Sequence, residues 1–290
     1  MKNDIFEEKN IYPHEEKIEN HFKDFYNSVY VAFLPFFKIE NHLSNNNNYK
    51  KSEKITFEQA KKELDILENI QEPNAEIFSY SNQDYPTTSE IYNNGEIVYW
   101  KNILKETDLK EVTELNKALR TSIGALREIF RKPELSEKLN TYTEKNNIWH
   151  PTEGNFDVFS KIGIYRIFKM FNKNEILIVD EFYENNNVIT LNELTEYEFI
   201  EKIEYGDYYI YSVDKEILFT IEWDSFFFLI ATDKNKMEKI IEAKYFEGFL
   251  CDSKTTHNWD YLDGELEELL EIEKKQKKIT KNKNWWKFWN

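Results

Sequence analysis

Two turn-like segments contain the histidines and carboxylates that could carry out chemistry in this chain. His150 and Glu153 lie in the segment IWHPTEG, and Asp252 and His257 follow much later in the sequence. If folding joined the two segments, they would supply the ligands of a metal site or the partners of an acid/base pair. Alternatively, each histidine packs its ring or caps a helix. We favour this structural interpretation, because nothing else in the sequence demands a cluster.

Arginine is rare, and three of the four arginines in the chain lie close together. On one helix, Arg120, Arg127 and Arg131 would lie within about 40° of one another, because each residue advances roughly 100°. A guanidinium group holds carboxylates or phosphates in a planar fork, and Gly124 nearby would let a ligand approach the backbone. The spacing therefore predicts an anion-binding or partner-binding site. The alternative, which we favour because acids are so numerous, is a seam of salt bridges to the acidic body.

Trp223 and Asp224 join two hydrophobic stretches, so Asp224 is either a turn residue or a carboxylate at the rim of a pocket, and a turn residue is favoured.

The seven glycines form neither a dinucleotide-binding fingerprint nor a P-loop. A nucleophile elbow and the zinc-protease motif are also missing. These absences argue against several common classes of enzyme. We predict no cofactor.

The last residues of the sequence differ in charge from everything before them. Residues 274–290 contain seven lysines and no acid, and the whole chain has a net charge of −16, so residues 1–273 carry −23. Four aromatic side chains end this segment: Trp285, Trp286, Phe288 and Trp289. We expect this interaction tail to dock into an apolar groove of the same or a second subunit. Contact with a membrane surface or with single-stranded nucleic acid is less favoured.

Composition predicts a compact α+β protein in the cytoplasm. Hydrophobic residues make up 40% of the chain, and a single cysteine, Cys251, excludes an internal disulfide and a cysteine-based zinc site. The sequence lacks a signal-peptide pattern and a stretch of roughly 20 apolar residues that could cross a bilayer. Because the body is acidic, we expect it to repel double-stranded nucleic acid and to prefer basic partners.

Hydrophobic periodicity predicts helices in the first half and strands in the second. We assign residues 1–172 to a mainly helical region, 173–262 to an α+β region with an antiparallel β-meander, and 263–290 to a helix that ends in the tail. One continuous domain is the alternative. Pro35 argues that the apolar run around it is an edge strand or irregular. A long helix is predicted from Asp108 to Phe130.

Four segments carry a resemblance to a known family: LRTSIGALREIFRKPEL, TEGNFDVF, VDEFYENN and IEWDSFFFLIATDKNKMEKIIEAKYFEGFLCD. They resemble an uncharacterised bacterial family known only as a domain of unknown function. The resemblance covers about residues 110–260, so the first hundred residues and the tail lie outside it. It implies a bacterial α+β domain and carries no catalytic residues.

A looser resemblance is to acidic inhibitor proteins, namely immunity proteins of toxin systems and phage anti-defence proteins. We therefore expect a non-enzymatic acidic binding protein, an inhibitor of a basic protein partner, with a homo-oligomer formed through the tail as a further expectation. The alternative is an enzyme of unknown reaction, with its site at His150 and His257 or at Arg120, Arg127 and Arg131.

Overall fold

A seven-stranded antiparallel sheet forms the centre of the structure, a computed structural model that describes residues 4–14, 16–40, 52–63, 77–80, 85–262 and 264–286. The strands are β1 (Ser28–Phe33), β2 (Phe36–Ile39), β3 (Ser52–Ile55), β4 (Ile77–Tyr80), β5 (Gly95–Val98), β6 (Glu175–Asp180), β7 (Asn186–Thr190), β8 (Asp207–Ser212), β9 (Ile217–Ile221), β10 (Phe227–Thr232) and β11 (Gly248–Leu250). The large sheet has the order β11-β1-β10-β9-β8-β6-β7, and β2-β5 and β3-β4 form two small sheets.

Helices are the other regular elements of the described residues and, with the sheet, confirm the α+β class. They are α1 (Ile18–Phe22), α2 (Phe57–Glu63), α3 (Thr88–Asn94), α4 (Trp100–Glu106), α5 (Val112–Ser122), α6 (Pro133–Lys145), α7 (Val158–Met170), α8 (Glu196–Lys202), α9 (Lys234–Ala243) and α10 (Glu265–Trp286). Among the helices of the described ranges, none has the length and apolar content that crossing a lipid bilayer requires.

The strand β1 lies inside the large sheet, so the edge-strand interpretation is wrong for the part of the apolar run before Pro35. Leu34 and Pro35 are irregular, and β2, which follows them, is a strand of a two-stranded sheet. β1 pairs with β10 on one side and with β11 on the other. Pro35 follows the end of β1, where the chain leaves the sheet, and therefore removes no hydrogen bond from the β1 ladders. The sheet thus contains residues from both sides of the predicted boundary at residue 172.

Both faces of the sheet are covered, because successive phenylalanines of the 226–228 run pack in opposite directions. The Phe228 ring lies 5.4 Å from Phe156 and 5.3 Å from Phe246. The Phe227 ring instead lies 5.6 Å from Trp259. Neighbouring strand residues point to opposite faces, so this alternation requires a layer of side chains on each face. All residues of β9 and β10 are accordingly buried.

The predicted meander is confirmed by β8, β9 and β10, but the long helix predicted from Asp108 to Phe130 is wrong. The helix α5 ends at Ser122 because Gly124 adopts a φ of 75°. The backbone N–H groups of Gly124 and Ala125 donate to the carbonyls of Thr121 and Arg120, both at 3.1 Å, which is the Schellman ending of a helix. The next helical residues form only a short 3₁₀ turn.

We predict that Trp100→Phe lowers the free energy of unfolding by about 1–3 kcal/mol. The Trp100 indole N–H donates to the Leu34 carbonyl at 2.8 Å, and the substitution leaves that buried carbonyl without its donor. Chemical denaturation measures the change. Trp223→Phe is the matched control, because the Trp223 side chain is 52% exposed, and we expect a change within about 0.5 kcal/mol. Equal effects of the two substitutions would contradict the assigned role of Trp100.

Candidate binding site

Three turns at one end of the large sheet each place a glutamate beside an exposed aromatic residue. The pairs are Glu181 with Phe182 after β6, Glu204 with Tyr205 before β8, and Glu222 with Trp223 after β9. These turns meet because antiparallel neighbours pair Asp180 with Asp207, and Tyr209 with Thr220. The exposed fractions of Phe182, Tyr205 and Trp223 are 69%, 69% and 52%. We define the acidic aromatic surface as Phe182, Tyr205 and Trp223 together with Glu181, Glu222 and Asp224.

Local hydrogen bonds fix the first of these turns. The Asp180 carboxylate accepts the backbone N–H groups of Glu184 at 2.9 Å and Asn185 at 2.8 Å, which closes the turn between β6 and β7. The Glu181 N–H donates to the Gly206 carbonyl at 2.9 Å and ties this turn to the one that precedes β8. Phe182 is therefore held outward at the end of the sheet.

The turn after β9 is built on a left-handed residue, Asp224, whose φ is 59°. Asp224 is thus the turn residue that the sequence favoured, and its carboxylate also belongs to the acidic aromatic surface. The segment containing Glu153 packs against this turn, because the Gly154 N–H donates to the Ser225 carbonyl at 2.9 Å. A Cβ on Gly154 would lie 3.3 Å from the Trp223 Cα, and the φ of Gly154 is 58°. Glycine therefore suits both this close approach and the left-handed backbone.

The pKa of Glu222 is raised by its half-buried position among the other acids of this surface. Burial, and then the charges of Glu181 and Asp224, raise the pKa of Glu222 to about 7. The same acids, with Glu153, add to the burial that raises the pKa of Tyr205. His14 Nδ1 lies 3.4 Å from Glu222 Oε2. Glu181 and Asp224 disfavour the ionised form of Glu222, and a positive group bound beside it would favour that form.

Behind this surface, His257 is half-buried and neutral. Its Nδ1 lies 2.8 Å from the Tyr12 hydroxyl, and its ring lies 5.9 Å from the ring of Phe227. Burial, followed by the charges of Arg120 and His14, lowers the pKa of His257 to about 3. An imidazole in this state cannot take up a proton near neutral pH, so its place here is to position Tyr12 against the sheet.

Arg120 lies beside a deeply buried carboxylate. Its Nη1 is 3.7 Å from Asp260 Oδ2, and the Asn116 amide donates to the same oxygen at 3.0 Å. Burial raises the pKa of Asp260, and Arg120 and Asn116 oppose that change. Within the described part of the chain, Arg120 Nε, Asn116 Oδ1 and Asp260 Oδ1 are buried without a hydrogen-bond partner. This small polar network attaches α5 to the segment that leads into α10.

The three arginines do not share one helical face, so the predicted stripe is wrong. Only Arg120 lies on α5, because the helix ends at Ser122. Arg127 is 64% exposed and lies 3.4 Å from Glu273 of α10, and the Arg131 Nε donates to the Leu126 carbonyl at 2.8 Å. Arg120 and Arg127 each meet an acid, which is the salt-bridge arrangement that we favoured. The Arg120 charge opposes the burial that raises the pKa of Asp224.

His150 and His257 pack against different residues. The His150 Nε2 lies 2.9 Å from the Thr143 hydroxyl, and its ring lies 5.3 Å from Phe36. Asp252 caps its own loop by accepting the N–H groups of residues 254 and 255, both at 2.9 Å. Of the predicted cluster, Glu153 lies near the acidic aromatic surface. Among described residues, no group of three or more His, Cys, Asp or Glu could hold a metal ion.

The tail residues Trp285 and Trp286 close α10, whereas Phe288 and Trp289 lie outside the described residues. The sequence interpretation missed Tyr12, His14, Glu181, Glu222 and Asp260. A signal for two of them exists, because an acid followed by an aromatic residue recurs beside three strands that are neighbours in the sheet: 181–182 after β6, 204–205 before β8 and 222–223 after β9. Tyr12 and His14 carry no such signal, since only the fold brings them to this end of the sheet.

We predict that Arg120→Met lowers the free energy of unfolding by about 3–5 kcal/mol, because it leaves the Asp260 carboxylate buried without its cation. Adding Asp260→Asn should restore most of the loss, since the buried charge is then gone. Urea denaturation of the two variants measures this. Arg127→Met is the control, and we expect under about 1 kcal/mol for its exposed ion pair. A double variant no more stable than Arg120→Met would contradict the pairing.

A second prediction concerns pH. The pKa of Glu222 is raised from 4.5 to about 7 in the folded chain, so folding favours the protonated form and ionisation opposes folding as the pH rises through this window. Glu222→Gln should therefore gain thermal stability relative to the wild type between these pH values and keep a constant gain above them. His257 remains in both proteins, so its contribution cancels.

Thermal unfolding at a series of pH values gives the difference in Tm between Glu222→Gln and the wild type. Glu137→Gln, at an exposed position of α6, is the control and should show no such rise. A difference in Tm that stays flat between pH 4.5 and 7 would contradict the raised pKa of Glu222.

Comparison with known proteins identifies relatives of this chain. The "Uncharacterized protein YwbB" of Bacillus subtilis (strain 168) is 27% identical over 176 residues, which make up 60% of this chain and 77% of that protein. No solved structure matches the chain. A family model described as "Protein of unknown function (DUF2711)" matches residues 14–261, which confirms the resemblance and extends it into the first hundred residues. The chain belongs to this DUF2711 family.

Proposed function

We propose that this protein is a non-enzymatic binding protein that holds a basic protein partner on its acidic aromatic surface. The observation that carries the proposal is the half-buried position of Glu222 beside Glu181 and Asp224, because burial first, and then these two charges, raise its pKa to about 7. A lysine or arginine of a partner placed among these carboxylates would relieve their mutual repulsion. Binding a cation here therefore gains energy that an isolated surface carboxylate would not supply.

The aromatic side chains on the same surface support a protein partner rather than a free ion. Phe182, Tyr205 and Trp223 are more than half exposed, although large aromatic residues usually bury most of their area. Tyrosine and tryptophan are enriched among the residues that dominate the energy of protein interfaces. Aromatic anchors next to carboxylates match a partner that presents both apolar and cationic side chains.

The net charge of the chain, −16, favours fast association with a basic protein through long-range attraction. An acidic protein that covers the cationic site of a nuclease or another basic enzyme acts as its inhibitor, so we place this protein with immunity or anti-defence inhibitors. The enzymatic alternative has less support, because His257 is held neutral and Arg120 faces Asp260.

The test compares three forms of the full chain as bait in a lysate of the native host. One variant, Glu181→Gln with Asp224→Asn and Trp223→Ala, alters the acidic aromatic surface. The control, Glu137→Gln with Glu238→Gln, removes the same charge from exposed positions of α6 and α9. We expect the wild type and the control to retain the same basic protein, and the surface variant to lose it.

Titration of the purified partner should show roughly tenfold weaker binding to the surface variant, equivalent to about 1.4 kcal/mol. Binding should also weaken as salt rises, because screening reduces the attraction. A stoichiometric amount of the wild type should suppress the activity of the partner, which tests the inhibitor class. Equal retention by the surface variant, or binding insensitive to salt, would refute the proposal.

A further inference from the structure

A cavity of about 580 Å³ lies at the base of α10, on the side of the molecule where the chain leaves β11. Its apolar lining consists of Phe249, Trp259, Tyr261, Leu262 and Val112. The Leu262 side chain is 80% exposed. The volume falls within the range of roughly 300–1,000 Å³ in which proteins bury a bound group, so this cavity can accept large aromatic side chains.

The helix α10 begins at the edge of this cavity. It begins at Glu265, three residues after Leu262, and continues for 22 residues to Trp286. At a rise of 1.5 Å per residue its length is about 33 Å. Lys117 holds Glu265 at 3.2 Å and Arg127 holds Glu273 at 3.4 Å, so these two contacts attach the first half of the helix to the body.

The tail therefore cannot fill the cavity of its own chain. Trp286 closes a continuous helix whose other end borders the cavity. The four residues that follow span at most about 14 Å when fully extended, less than half the length of the helix. A second copy has no such restriction, because its α10 can run in the opposite direction alongside the first.

The charge pattern of α10 matches an antiparallel pair. Its first half contains the acids Glu265, Glu267, Glu268, Glu271 and Glu273, and lysines fill its second half from Lys274 onward. Antiparallel packing places each acidic half against the lysine half of the other copy, whereas parallel packing would place like charges together. Ile272, near the middle of the helix, is 45% exposed and provides an apolar contact close to the two-fold axis.

We propose that two copies of this chain pair through antiparallel α10 helices, each inserting its tail aromatics, residues 285–289, into the cavity beside Leu262 of the other. The interface is isologous, because each copy contributes the same two surfaces: the cavity at the start of α10 and the tail at its end. Such an interface closes as a dimer. Exposed apolar surface at Leu262 and Ile272 becomes buried in the pair, and the lysines of the tail meet the acids that they complement. This surface is separate from the acidic aromatic surface.

A charge exchange tests whether the two helices pair through their charges, and dimerisation of the wild type, whose opposite charges meet only in the antiparallel arrangement, tests their direction. In one variant, Glu267→Lys, Glu268→Lys and Glu271→Lys give both halves of the helix a net positive charge. In the other, Lys277→Glu, Lys278→Glu and Lys281→Glu make it acidic. Each variant alone should sediment as a monomer because like charges now face each other. A mixture of equal amounts should sediment as a dimer, whereas the wild type dimerises by itself. A monomeric wild type, or a mixture that stays monomeric, would overturn the proposal.

The cavity is tested separately, with substitutions at exposed positions that leave the fold intact. Leu262→Glu at the cavity and Trp285→Ala with Trp286→Ala in the tail should each weaken dimerisation at least about tenfold. Val188→Glu, at a 59% exposed position of β7, is the control and should leave it unchanged. Circular dichroism checks that each variant is folded. Dimerisation unaffected by both Leu262→Glu and the tail substitutions would refute insertion into the cavity.

Discussion

The pairing of β1 between β10 and β11 is the constraint on which the rest of the molecule depends. Strand β1 comes from the start of the sequence, and its two neighbours come from the second half. Its position brings the preceding segment, with Tyr12 and His14, against Glu222 and His257. On the other side, β11 directs the chain into the segment that holds Asp260 and then into α10. One strand thus connects the segment with Tyr12 and His14 to the acidic aromatic surface and, through β11, leads to the base of α10.

Three titratable groups near the sheet end show three ways of placing a polar group away from water. Asp260 is buried near an arginine and an asparagine, so it keeps partners for its charge. His257 is half-buried without a charge of its own. Glu222 is also half-buried, among other acids and with His14 alongside. The first two arrangements stabilise a fixed structure, whereas in the third the neighbouring acids disfavour the charge of Glu222.

Much of the fold could be predicted from local sequence patterns. The meander, the helix α9 and the capping box at Thr56 and Gln59 follow from periodicity and capping chemistry that act within a few residues. The errors arose where one residue changes the outcome. Gly124 ends α5 because a left-handed backbone there completes a Schellman motif. Pro35 suggested one edge strand or irregular segment for the whole apolar run, although it lies between two strands, β1 and β2, of different sheets.

The candidate site was harder to predict, because it depends on contacts between distant segments. Single residues such as His150 and Arg127 drew attention by their type, yet the first is packed in the core and the second is exposed beside Glu273. The repeated acid and aromatic pairs at strand ends were visible in the sequence, but their significance depends on antiparallel strands returning to the same edge. Register is a property of the sheet, and no single strand carries it.

The protonation state of Glu222 couples any cationic contact at this edge to the solvent. Near neutral pH this carboxyl holds a proton for part of the time, because its pKa is about 7. A positive group that settles beside it stabilises the carboxylate, so association expels a proton into the buffer. The heat of complex formation then depends on the ionisation enthalpy of the buffer chosen. A modest acidification of the surroundings would also loosen such a complex without any change in shape.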